Sequence, residues 1–132
     1  MEVIITGWAF NSYLEMTHNR VFGKAEYKNR IRPDALRLKN YPDDPRFEND
    51  KFWSIATDRT GNKIRDGYKM KWHQVGEGRV QLRLTVGIFS DAFLCEAYVK
   101  HDPKAEKRYM ARFKVYLQKI RLNEYVENGR LS

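Results

Sequence analysis

Residues 68–100 read YKMKWHQVGEGRVQLRLTVGIFSDAFLCEAYVK, and apolar and polar side chains alternate along them with a period of two. That period belongs to strands with one face in a core and one in solvent. Tyr68, Met70 and Trp72 alternate with Lys69, Lys71 and His73 over a strand Tyr68–Val75, and Gly76-Glu77-Gly78 supplies a hairpin turn. Val80, Leu82, Leu84, Val86 and Ile88 alternate with Arg79, Gln81, Arg83 and Thr85 over Arg79–Ile88. After a turn at Phe89-Ser90-Asp91, Phe93, Cys95, Ala97 and Val99 alternate with Leu94, Glu96, Tyr98 and Lys100 over Ala92–Lys100. Three strands joined by tight turns make an antiparallel meander.

Downstream, Asp102-Pro103 opens a helix, with Asp as N-cap and Pro at the first helical position. Tyr109, Phe113, Tyr116, Leu117 and Ile120 follow at helical spacing, a stripe suited to covering the apolar sheet face. Lys104, Lys107, Arg108, Lys114, Gln118 and Arg121 are left for solvent or phosphates. Upstream, Val3–Thr6 reads as a short strand ended near Gly7, and Trp8–Thr17 as one or two helical turns or an extension of that strand. A helix is expected over Phe22–Ile31, stopped or kinked at Pro33, and a second short one over Asp34–Asn40. Residues 41–66, broken by Pro42, Pro45 and Gly61, read as a long loop whose Phe47, Phe52, Trp53 and Ile55 pack on the domain. Asn123–Ser132 reads as a frayed tail. The expectation is one basic α+β domain over residues 1–132. Its small antiparallel β-sheet, the three-strand meander plus an N-terminal strand, packs against N-terminal helices and a C-terminal helix.

A hydrophobic fraction of 42% and an aromatic fraction of 14% exclude a disordered chain. Lys and Arg exceed Asp and Glu by 25 to 17, a net charge of +8 that favours nucleic acid or another acidic partner. Cys95 is the only cysteine, so no internal disulfide forms, which fits a reducing cytoplasm. No apolar run approaches the roughly 18 residues of a membrane span, and residues 1–10 lack the basic start of a secretory signal. A soluble cytoplasmic protein is the expectation.

There is no GxGxxG, Walker loop, CxxC or HExxH, and His18, His73 and His101 lack metal-ligand spacing, so neither a cofactor nor a metal is expected. What stands out is the cationic sheet face. Lys69, Lys71 and His73 share one side of their strand, and Arg79 and Arg83 can join them from the next. The plain alternative is a solvated sheet face, where alternating polar residues are ordinary. The functional alternative is work on RNA. Metal-free cleavage needs a base for the ribose 2′-OH, an acid for the leaving 5′-oxygen, and cations on the phosphate. His73 suits the base or acid, Arg83 and Arg79 the phosphate clamps. Tyr98, Lys100 or His101 suits the complementary acid. Lys69, Lys71, Lys100, Lys104 and Arg108 would add phosphate affinity, and Trp53 or Tyr68 could stack a base if not used in the core.

The order of elements resembles the RelE/ParE toxin superfamily. Lys71-Trp72-His73-Gln74-Val75 and Gly78-Arg79-Val80-Gln81-Leu82-Arg83-Leu84 look like its core strands. Leu94 to Lys100 followed by His101-Asp102-Pro103-Lys104-Ala105 resembles its closing strand, basic turn and helix. The YafO-like branch is most similar: it too has a histidine in the first meander strand, a Ser-Asp (here Ser90-Asp91) before the last strand, and a turn with proline and histidine into the final helix. The resemblance covers about half the chain. It implies a cofactor-free mRNA endonuclease acting on ribosome-bound message and held inactive by an antitoxin, with Arg83, Tyr98 and His101 near the family's functional positions. Two other classes stay open: a non-catalytic nucleic-acid-binding module, and a mobile-element interaction protein.

Overall fold

Val3, Ile4 and Ile5 form β1 (Val3–Thr6), and Thr6 at once caps α1 (Gly7–His18), accepting from the Ala9 N–H at 3.3 Å. The computed structural model describes all 132 residues. A single helical run follows from Lys24 to Asn40: α2 (Lys24–Glu26), a π turn (Tyr27–Ile31), α3 (Arg32–Leu36) and a 3-10 turn (Arg37–Asn40). The expected break at Pro33 does not occur. The widened π turn gives the proline ring room that a regular α turn denies it. Then come β2 (Trp53–Thr57), β3 (Lys63–Val75), β4 (Val80–Ile88), β5 (Ala92–Val99), α4 (Pro103–Arg121) and β6 (Glu127–Leu131).

The molecule is α+β, built on an open sheet ordered β2-β3-β4-β5-β1-β6. The meander β3-β4-β5 is antiparallel as expected, but the sheet is mixed because β1 runs parallel to β5. Two strands were not expected. Residues 41–66 are not one long loop: β2 pairs with β3, with Trp53 opposite Met70. The tail is not frayed: β6 pairs with β1, and Leu131 is buried opposite Val3. No helix is long and apolar enough to cross a membrane.

Both faces of the sheet are covered. Met70, Trp72, Leu82, Leu84 and Val86 pack beneath the N-terminal helices with Ala9, Phe22, Ile31, Ala35 and Leu38. The α4 stripe lies on the other face, where Met110, Phe113, Leu117 and Ile120 meet Ile4, Ile64, Phe93, Cys95 and Tyr98. So α4 does not cover the continuous apolar face; it covers the face that carries the cations. It fits there because Gly67 and Gly87 leave space. A Cβ at Gly67 would stand 2.8 Å from the Phe113 ring, and one at Gly87 2.7 Å from Leu117.

Two bulges decide which side chains share that face. In β5 the pairing steps from Thr85↔Glu96 to Val86↔Leu94, so one extra residue is inserted. Leu94 and Ala97 therefore both face the N-terminal helices, and Tyr98 turns to the α4 side. The freed backbone is satisfied by side chains. Thr85 Oγ1 accepts from Glu96 N–H at 3.0 Å, and the buried Ser12 Oγ accepts from Ala97 N–H at 2.9 Å. In β3 the register slips between Trp72 and Val75, which ends the alternation one residue before His73.

Candidate nucleic-acid interface

Strand register sets one transverse row. Lys71 on β3 lies opposite Arg83 on β4, and Arg83 lies opposite Tyr98 on β5. The next row down is Lys69, Thr85 and Glu96. The first turn of α4 closes over both rows. Asp102 accepts from Ala105 N–H at 2.8 Å, Pro103 starts the helix, and Glu106 reaches down to Lys69, Nζ to Oε1 at 3.1 Å.

Arg83 is buried, yet its guanidinium is well held. It donates to Gln81 Oε1 at 2.9 Å and to the Leu82 carbonyl at 3.1 Å, with the Trp72 carbonyl at 3.5 Å. Burial pulls its pKa below the ordinary arginine value, and the neighbouring Tyr98 and Glu106 oppose that shift. Lys71 donates to the Asp50 carbonyl at 2.6 Å. Its pKa is lowered by burial first, then by repulsion from Lys69, Arg83 and Lys100. Tyr98 stacks on Tyr109, centroids 4.2 Å apart. Burial and the Glu106 carboxylate push its phenol far above the usual range. The Tyr98 hydroxyl feels the Glu106 charge, but no hydrogen bond of good geometry forms between them. That hydroxyl and Glu106 Oε2 are both buried without a partner. Two adjacent unsatisfied polar atoms are uncommon in a folded interior.

Of the residues singled out by sequence, Lys69, Lys71, Arg83 and Tyr98 come together, and Lys100 lies at the rim, close enough to act on Lys71. Its backbone N–H donates to the Gln81 carbonyl. His73 lies two residues past Lys71 on β3 and is not opposite Arg83. Its Nε2 is hydrogen-bonded to the Lys51 carbonyl, and the ring borders an open cleft on the edge of β3. Arg79 sits in the β3–β4 turn, largely exposed, and pairs with Glu77 at 3.7 Å. His101 is exposed in the connection before α4; Lys104 and Arg108 are exposed on α4. Trp53 and Tyr68 stack on each other at 5.0 Å, with Trp53 buried in the core and Tyr68 packed against it. No group of three or more His, Cys, Asp or Glu side chains is placed to hold a metal ion.

Sequence reading missed Glu106 and the cations of the β3-edge cleft, Arg30, Arg37, Arg46 and Lys51. Glu106, four residues after the Asp102 cap, reads as an ordinary first-turn acid. Only the register of α4 over Lys69 gives it a second meaning. No family model, curated protein or solved structure matches this chain.

Proposed function

We propose that this chain is a metal-independent endoribonuclease of the RelE/ParE toxin type, which cleaves messenger RNA on the ribosome and is held in check by an antitoxin. The observation that carries the reading is the registered row Lys71, Arg83, Tyr98 on three central strands, with Lys69 beside it. A rigid sheet holds these groups better than loops would, and fixed cations are what a phosphorane-like transition state needs.

The chemistry runs as follows. Lys71, whose pKa is lowered by burial and by repulsion from Lys69, Arg83 and Lys100, takes the 2′-OH proton in place of His73. The 2′-oxygen bonds to the adjacent phosphorus, and the bond from phosphorus to the 5′-oxygen breaks. Arg83 and Lys69 stabilise the added negative charge. Lys100, exposed at the rim beside Lys71, gives the 5′-oxygen its proton, while the buried Tyr98 supports Arg83 from the next strand. The products are a 2′,3′-cyclic phosphate and a 5′-hydroxyl. Expression in a bacterial host should arrest growth, and Lys71→Ala should relieve the arrest. Unimpaired growth with the folded protein at high level would count against the proposal.

A second reading follows from the departure of His73 and the burial of Arg83: a nucleic-acid-binding module without catalysis. Under it, RNA binding weakens steeply with salt while the strand stays intact.

A further inference from the structure

Arg46 presents a guanidinium that is fixed but unspent. It lies over the Phe52 ring, 4.1 Å from its centroid, and 3.7 Å from Asp34 Oδ1. Its Nε is buried with no partner, although a guanidinium carries five N–H donors. Asp34 is the organiser. It is buried, accepts from Trp72 Nε1 at 2.9 Å and from Arg37 Nε at 3.1 Å, and so ties α3 to β3. Arg37 is fixed from its other end by Asp44 at 2.9 Å.

These groups line an open cleft of about 530 Å³ between the helical run and the edge of β3. Arg30, Lys51 and Lys71 complete its charge, His73 lies beside them, and Asp34 is the only acid in the lining. Glu26 and Asp44 pair with Arg30 and Arg37 from outside it, which still leaves the cations in excess. Lys71 belongs to both places: it stands opposite Arg83 in the row, and it lines this cleft. Lys71 is thus the residue shared by the row and the cleft.

We propose that this cleft is a second phosphate site, which takes the backbone of the same RNA strand to one side of the scissile phosphate. The inference rests on the ribonuclease reading for its substrate but not for its geometry. Arg46 is suited to a bidentate grip on a phosphate, because its plane is set by Phe52 and Asp34 before any ligand arrives. The face of Phe52 is covered by Arg46, so the cleft holds the backbone rather than a stacked base.

The test uses 2′-O-methyl RNA, which cannot be cut by 2′-OH attack, in lengths of about 3 and 12 nucleotides. The full chain is compared with an Arg46→Gln/Lys51→Ala double variant and with Lys71→Ala, each checked for folding by circular dichroism melting. The double variant should bind the long strand about tenfold more weakly and the short one unchanged. Its salt slope on the long strand should fall by about 1.4, at about 0.7 per lost single-strand contact. Arg46→Lys, which keeps the charge and loses the fork, should restore most of the slope but only part of the affinity. An unchanged slope and length dependence would overturn the proposal. So would a double variant that loses inorganic tripolyphosphate but keeps the long strand, since the cleft would then be a small-anion site. If Lys71→Ala weakens both lengths and the double variant neither, the cleft falls and the row stands. If the long strand needs Arg46 while unmodified RNA survives intact, the cleft stands and the ribonuclease reading falls.

Discussion

In the proposed cleavage, Lys71 is the residue on which the chemistry turns. Its amine is partly desolvated and has Lys69, Arg83 and Lys100 for neighbours. A lowered pKa means that the free amine appears at lower pH than in an ordinary lysine, so cleavage should rise with pH and level off below the usual lysine value. Lys69→Met removes one repelling charge and leaves Glu106 unpaired nearby. Both changes raise the Lys71 pKa, so the rising limb of the pH–rate profile should move to higher pH; a limb that stays in place would take Lys71 out of the base's role. Glu106 is the row's own counter-ion. A phosphate arriving beside Arg83 competes with it for Lys69, so Glu106→Gln should tighten binding of uncleavable RNA, measured by anisotropy. Weaker binding would show that Glu106 organises the row rather than competing for it. The period of two was enough to place Lys69, Lys71 and Arg83 on one face. It did not show that His73 is held at the edge of β3 by the Lys51 carbonyl, a contact that no local signal in His73-Gln74-Val75 marks.

At the scale of elements, the site depends on how α4 and β5 are set. Ser12 on α1 accepts the Ala97 N–H that the β5 bulge releases, and that bulge turns Tyr98 toward Arg83. Ser12→Ala leaves a buried donor unsatisfied and should cost about 1–3 kcal/mol in denaturant unfolding. Gly67→Ala drives a methyl into Phe113 and should cost about 1–3 kcal/mol by lifting α4 from the sheet. A cost near zero at either position would mean that α4 or the bulge is set by something else. The meander and α4 were legible because their apolar periods are long and the Asp102-Pro103 start is strong. β2 was hidden because Trp53–Thr57 is five residues long and lies among Pro, Asp and Gly breakers. β6 was hidden for a different reason. Of Glu127–Leu131 only Leu131 is buried, so backbone pairing with β1 holds the strand, and pairing leaves no apolar pattern to read. The assignment of α4 to the cation-bearing face was missed because its apolar residues, Ile4, Ile64, Phe93 and Cys95, are scattered over three strands with two glycines beside them.

Across the whole molecule, the sheet separates two tasks. The N-terminal helices bury one face outright, while α4 covers the other and leaves a polar row beneath its first turn. In the proposed reading the net charge of +8 draws RNA to the surface, and the Lys71–Arg83–Tyr98 row supplies fixed groups from three paired strands. The most direct measurement is to incubate the purified, folded chain with translating ribosomes and message in EDTA and to map the chemistry of the RNA ends. Wild-type protein should leave 2′,3′-cyclic phosphate and 5′-hydroxyl ends, and Lys71→Ala should slow their appearance by about 10²–10⁴-fold. Intact message, or ends that form equally fast with Lys71→Ala, would contradict cleavage at this row.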